Sequence, residues 1–108
     1  MLRIYPFILD WIASLAPVIV AVRRHDAHLA DQLRRSATAV ALNVAEGSGA
    51  TGGDKRRAYR IALREMREAV ACLQIASRLQ YVEPDVSLDR DRQSRIVGTL
   101  VRLARPWA

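Results

Sequence analysis

The sequence predicts an all-α fold: an antiparallel up-and-down four-helix bundle, with residues 1–108 forming one domain. Three observations point to it. Apolar residues recur at spacings of three and four through four successive stretches, the period of a helix with one face in a core. The composition is 51% hydrophobic, largely Ala and aliphatic residues, with only five glycines and four prolines in 108 residues, a mixture suited to a helical globular chain rather than a disordered one. The connections between the periodic stretches are short, which makes consecutive helices antiparallel neighbours.

The first helix is expected over residues 5–24. Pro6 suits a first turn. Pro17 falls inside, where its missing N–H and its ring should kink the helix. From Ile4 to Val22 the only charge is Asp10, with Arg3 and the pair Arg23-Arg24 at the flanks. That length is at the lower limit for a membrane span. Asp10, the two prolines and the amphipathic remainder of the chain favour a buried helix instead, and no membrane partner is expected.

The second helix is expected over residues 27–46, with Asp26 as its N-cap. Leu29, Leu33, Val40 and Val44 form its core stripe. Beyond Ala37 the other faces are apolar as well, through Ala39, Ala41, Leu42 and Ala45. A helix apolar all round needs cover on more than one side, and in a chain this short a second copy supplies it naturally. Ala39, Leu42, Asn43 and Glu46 are therefore candidate interface residues. Glu46 is expected to pair with Arg34 or Arg35 of a packed neighbour, and Asn43 to bond loop backbone.

Gly47, Gly49, Gly52 and Gly53 carry the chain to the third helix. Gly47 is placed as a left-handed C-cap and Asp54 as the next N-cap. A glycine-rich segment before a helix can cradle phosphate. Here no strand precedes it, and it matches neither the P-loop nor the dinucleotide fingerprint, so it reads as a turn.

The third helix is expected over residues 54–80. At ~100° per residue, Tyr59, Ala62, Leu63, Met66, Ala69, Val70 and Leu73 share one face. Arg56, Arg60, Arg64, Arg67 and Arg78 lie roughly opposite, and Lys55 and Arg57 widen the basic surface at the helix start. Part of that charge is expected to be offset within the helix by the pair Arg64–Glu68. Ile61, Cys72, Ile75 and Leu79 make a second apolar strip beside the arginines, and Ile61 and Ile75 join the candidate interface. Val82-Glu83-Pro84-Asp85 ends the helix. A fourth is expected over residues 88–104, begun by Ser87 or Asp89, with Leu88, Ile96, Val97, Leu100, Val101 and Ala104 inward. Pro106 stops it, and Trp107 either packs on a neighbouring helix or remains free.

The net charge is +6, and Lys55 is the one lysine among 17 basic residues. This balance favours polyanionic partners. Arginine forks onto phosphate oxygens, so Lys55, Arg56, Arg57, Arg60, Arg64 and Arg67 are the candidate nucleic-acid contacts. Few aromatics accompany them, which favours backbone contact over base stacking. The single cysteine, Cys72, excludes an internal disulfide, fits a reducing cytoplasm and reads as a packed side chain. His25, His28 and Asp31 are spaced to share a surface, but no further histidine completes a site, and neither histidine follows a glutamate at the Glu-x-x-His spacing of di-iron bundles. No metal, cofactor or catalytic residue is expected.

Two blocks, Gln32-Leu33-Arg34-Arg35-Ser36-Ala37 and Asn43-Val44-Ala45-Glu46-Gly47-Ser48-Gly49, together with Arg64-Glu65-Met66-Arg67-Glu68-Ala69, resemble the four-helix-bundle proteins encoded in intervening sequences of bacterial 23S ribosomal RNA genes. The spacing between the first two blocks matches too, and the resemblance covers most of the chain. It implies a cytosolic, non-enzymatic bundle that assembles as a ring-like homopentamer. A related branch, the accessory variability proteins of diversity-generating retroelements, comprises basic pentamers that bind reverse transcriptase and nucleic acid. The very apolar first helix with Pro17 departs from the family pattern. The resulting expectation is a homo-oligomer that binds RNA, DNA or a nucleoprotein through arginine. The alternative is an oligomeric interaction scaffold for an acidic protein, without physiological nucleic-acid binding.

Overall fold

The computed structural model describes residues 2–83 and 89–105. Its helices are α1 (Ile4–Ser14), α2 (Ala16–Arg23), α3 (Ala27–Gly49), α4 (Gly52–Arg78) and α5 (Arg90–Leu103). There is no strand among the described residues. α1 and α2 are two halves of one broken rod, so the fold is an all-α bundle of four helical rods. Its long axis measures 42 Å and its cross-section 24 × 20 Å. The length is that of α4, whose residues at ~1.5 Å each span about 40 Å.

The predicted kink is present, with its break at Leu15, two residues ahead of Pro17. Pro17 has no N–H to return to the Ala13 carbonyl, and its ring crowds that oxygen. The Leu15 N–H donates instead to Ile12 O at 3.0 Å, and helix resumes with Ile19 N–H to Leu15 O at 2.8 Å. Pro17 thus sits in the first turn of α2, where an N–H would have no helical partner. Ile4, Ile8, Trp11, Leu15, Val18 and Val22 form one buried stripe across the break. Ile4–Arg23 is long and apolar enough, by length and composition, to cross a membrane.

α3 is the hub, packing on α1, α2 and α4, and α5 lies against α4 and α1. Its N-terminus is capped as expected: the Asp26 carboxylate accepts from the Leu29 N–H at 2.9 Å. Leu33, Val40 and Val44 are fully buried and Leu29 half-buried. Buried Ser36 returns its hydroxyl to the Gln32 carbonyl at 2.9 Å, which satisfies a polar group in the core.

The turn after α3 differs from its sequence reading. Gly47 is not a left-handed cap, because the helix runs on to Gly49. Gly47 is buried against Tyr59 of α4, so its role is close packing. The positive backbone angle falls on Gly52, with φ 56°. Asp54 is not the N-cap either; Thr51 holds that position without a side-chain bond, and Asp54 lies within the first turn, where its charge still favours the helix dipole.

α4 closes in a Schellman motif. Gln80 takes the left-handed position with φ 63°, its N–H donates to Ser77 O at 3.0 Å, and the Tyr81 N–H reaches Ala76 O at 2.8 Å. The Tyr81 ring then stacks on His25, with centroids 4.8 Å apart and planes at 4°, joining this end of α4 to the α2–α3 turn. α5 is capped by Asp89, which accepts from the Arg92 N–H at 3.2 Å, and it buries Gln93, Ile96 and Leu100. The expectations for Ser87, Leu88, Pro106 and Trp107 lie outside the described residues.

Candidate functional site

α4 positions the basic residues. Its inward face holds Ala58, Tyr59, Ala62, Met66, Ala69, Leu73 and Ala76, all buried. Residues half a turn away must then project outward. Arg57, Arg60, Arg64, Arg67 and Arg78 are all exposed on the outer side, whereas Lys55 and Arg56, at the helix start, are less open. Arg60, Arg64 and Arg67 follow one another at single-turn spacing along the outer face.

The acidic residues explain why this face stays basic. The expected Arg64–Glu68 pair does not form. Glu68 turns instead toward α3, where it accepts from Arg35 Nη2 at 3.0 Å and from the Gln32 amide. Glu65 lies one turn away on the same edge, 3.7 Å from Arg35 Nη1. At ~100° per residue Asp54 falls on this edge as well. The Glu65 and Glu68 carboxylates therefore turn to α3 rather than to the arginines of their own helix, and among the described residues none of the α4 arginines makes an ion pair.

The Arg35 contacts also fix how α3 and α4 meet. Arg35 faces Glu65 and Glu68, and Gly47 faces Tyr59, so the two helices run antiparallel with their register set at both points. Stepping from Arg35 by helical turns along α3 gives Ala39, Leu42 and Glu46. Stepping from Glu65 and Glu68 along α4 gives Ile61 toward one end, and Cys72, Ile75 and Leu79 toward the other. These two edges border a single outer seam, with Leu42 level with Ile61.

Ala39, Leu42 and Glu46 of α3 thus line one edge of this seam and Ile61 of α4 the other, with Asn43 next to Leu42, while Ile75 lies toward the opposite end of the seam. Leu42 is 64% exposed, Leu79 54% and Ile75 48%. Ala39, Asn43 and Ile61 are half-buried and Glu46 is exposed. Asn43 does not bond loop backbone; its amide donates to Ala39 O at 2.8 Å within its own helix. Arg35 is occupied by Glu65 and Glu68, which leaves exposed Arg34 as the arginine open to a glutamate from outside.

Sequence reasoning did not find the Arg35–Glu65–Glu68 network, because its members become neighbours only once the helix register is known. Cys72 sits behind it. Burial above all, and then the Glu68 charge, push its thiol pKa upward, against a smaller lowering by Arg35. A buried thiol held in its protonated form is a packing element.

His25, His28 and Asp31 do not form a ligand cluster. His25 is stacked on Tyr81, and Asp31 pairs with Arg23 at 2.8 Å. Among the described residues, no group of three or more potential ligands could hold a metal ion.

Comparison with other proteins places this architecture. A family model described as 23S rRNA-intervening sequence protein matches residues 18–101. A crystal structure of a protein of unknown function from the S23 ribosomal protein family of Bacteroides thetaiotaomicron is similar with a TM-score of 0.84. Their sequences are 18% identical, and the match covers 94% of this chain and 98% of that one. At that identity the likeness speaks for the fold. No curated protein matches the chain.

Proposed function

The chain belongs to the 23S rRNA-intervening sequence protein family, and we propose that it works as a non-enzymatic, cytoplasmic homo-oligomer, a pentamer, that binds nucleic acid or a nucleoprotein through the arginine face of α4. The observation that carries this reading is the separation of charge on α4. Arg60, Arg64 and Arg67 lie on its outer face, while the carboxylates of Glu65 and Glu68 are turned to Arg35.

A guanidinium without an acidic partner keeps its N–H fork available for phosphate oxygens. The face has no interleaved aromatic residues, so its chemistry suits phosphate contacts, which position a nucleic acid without reading its bases. Self-association supplies the second ingredient. The exposed Leu42 and Ile75 call for cover, and assembly multiplies the +6 of each chain into a strongly positive particle.

The test uses an R60E/R64E/R67E variant, chosen because all three side chains point away from the core and their replacement leaves it intact. It should keep the parent's solution mass and lose retained RNA. RNA retention equal to the parent's at physiological salt contradicts the reading. A protein partner that stays bound after nuclease treatment, with no RNA retained by either form, favours the acidic-protein scaffold instead.

A further inference from the structure

A second basic site lies away from the α4 arginines, in the cleft between the start of α1 and the outer side of α5. The cleft has a volume of about 510 Å³, and the residues that border it include Arg3, Ser94, Arg95, Gly98, Thr99 and Arg102. Three guanidiniums and two hydroxyls share this concavity, and no acidic residue borders it among the described residues. Exposed Asp91 stands one turn before Arg95 on the same side of α5, but among the described residues neither it nor exposed Asp10 of α1 borders the cleft or pairs with an arginine. None of the three arginines makes an ion pair among the described residues.

Two of the guanidiniums are held in place. Arg95 lies over the Phe7 ring, 4.3 Å from its centroid. Stacking of this kind uses the face of the guanidinium and leaves its N–H edge free. Arg102 Nη2 donates to Thr99 Oγ1 at 3.3 Å, and Thr99 in turn donates to Arg95 O at 2.9 Å. Arg102 Nη1 lies over Gly98, 3.8 Å from where a β-carbon would stand. Holding three like charges around one hollow is unfavourable unless an anion enters, and fixed forks lose less freedom when it does.

We propose that this cleft is a phosphate-binding site, with Arg3, Arg95 and Arg102 as the charged donors and Ser94 as the hydroxyl donor, while Thr99, its own proton committed to the Arg95 carbonyl, steadies Arg102. It takes a phosphate group, either from a free phosphate or nucleotide or from a nucleic-acid backbone that also touches α4. The site stands whether or not the α4 face binds RNA.

The experiment is an amide and arginine-Nε NMR titration of the full chain with inorganic phosphate at constant ionic strength, chloride being replaced. Parallel arms use adenosine 5′-monophosphate and a short RNA duplex. Saturable shifts at Gly98, Thr99 and the Arg95 and Arg102 Nε–H groups are expected. In R95Q/R102Q, half-saturation should need about tenfold more phosphate. S94E, which puts a carboxylate at an exposed position in the cleft, should have the same effect without touching the Phe7 stack. The R60E/R64E/R67E variant should keep the phosphate response, which separates this site from the α4 reading. Tighter saturation by mononucleotide than by duplex identifies a free ligand as the source, and the reverse identifies a backbone phosphate. Shifts that do not saturate, or that persist unchanged in both R95Q/R102Q and S94E, overturn the proposal.

Discussion

Gly47 of α3 lies against the ring of Tyr59 of α4, so close that a β-carbon on Gly47 would stand 2.6 Å from Tyr59 Cε1. The Tyr59 ring is 1% exposed and has no room to swing aside. This close approach lets the two longest helices meet at the end of their hairpin. Ala in place of Gly gains about 1 kcal/mol of helix propensity, but overpacking costs about 1–3 kcal/mol. Gly47→Ala is expected to destabilise the chain by about 1 kcal/mol, read as a lower urea midpoint at constant m-value. The same substitution should cost less in a Tyr59→Leu background.

The Tyr59 hydroxyl is buried without a hydrogen-bond partner among the described residues. Removing it should therefore release a desolvated group rather than break a bond. Tyr59→Phe is expected to leave stability unchanged or raise it by up to about 1 kcal/mol, whereas Tyr59→Ala costs about 3–5 kcal/mol with the ring gone. Urea unfolding of the two variants side by side checks the contrast, and a large destabilisation by Phe would mean the hydroxyl has a partner.

Cys72 links stability to pH. Its folded-state pKa is raised above the ordinary thiol value of 9.0, first by burial and then by Glu68. Below that value both folded and unfolded states hold the proton, so the contribution of the buried thiol is fully present. As pH rises past it the unfolded chain ionises while the folded chain does not, and unfolding is favoured. Stability should fall between the ordinary value and the raised folded one more steeply in the parent than in Cys72→Ala. Equal slopes in the two proteins would contradict the assignment.

Gln80 holds a left-handed backbone angle, φ 63°, in the Schellman turn that closes α4. Glycine adopts that angle without the Cβ conflict. Because Gln80 is exposed, its replacement sacrifices little packing. Gln80→Gly is expected to stabilise by up to about 1 kcal/mol, seen as a higher thermal midpoint.

Much of the fold was legible in the sequence, and the parts that were not share a cause. The stripes through Leu33, Val40 and Val44 and through Tyr59, Met66 and Leu73 follow from local periodicity, as does the outward set of Arg60, Arg64 and Arg67. The Asp26 cap reads locally too. Leu42 was recognisable because α3 is apolar on more faces than one core can cover. Gly47, by contrast, looked like a cap because its true constraint comes from Tyr59 on another helix. Glu68 had a plausible partner one turn away in Arg64, and only the α3–α4 register shows Arg35 to be the group it meets. Arg3, Arg95 and Arg102 come from opposite ends of the chain, so no motif could announce their shared cleft.

Leu42, 64% exposed in the single chain, is the most direct probe of self-association. A charge placed there has little cost in a monomer but is buried unpaired in an interface. Leu42→Glu is expected to shift the solution mass, by light scattering, from a multiple of the 12.1 kDa chain toward one chain, with helicity unchanged. A parent that is itself monomeric would contradict self-association.

Phosphate binding through the α4 arginines, the central claim, is tested most directly by the salt dependence of RNA binding. Binding of a labelled RNA duplex should weaken linearly in log–log coordinates as salt rises, with a slope of about one per phosphate neutralised. In the R60E/R64E/R67E variant the slope should flatten by about one for each arginine–phosphate pair removed, and affinity at physiological salt should fall steeply while the oligomer mass is kept. The same slope and affinity in variant and parent would contradict the claim.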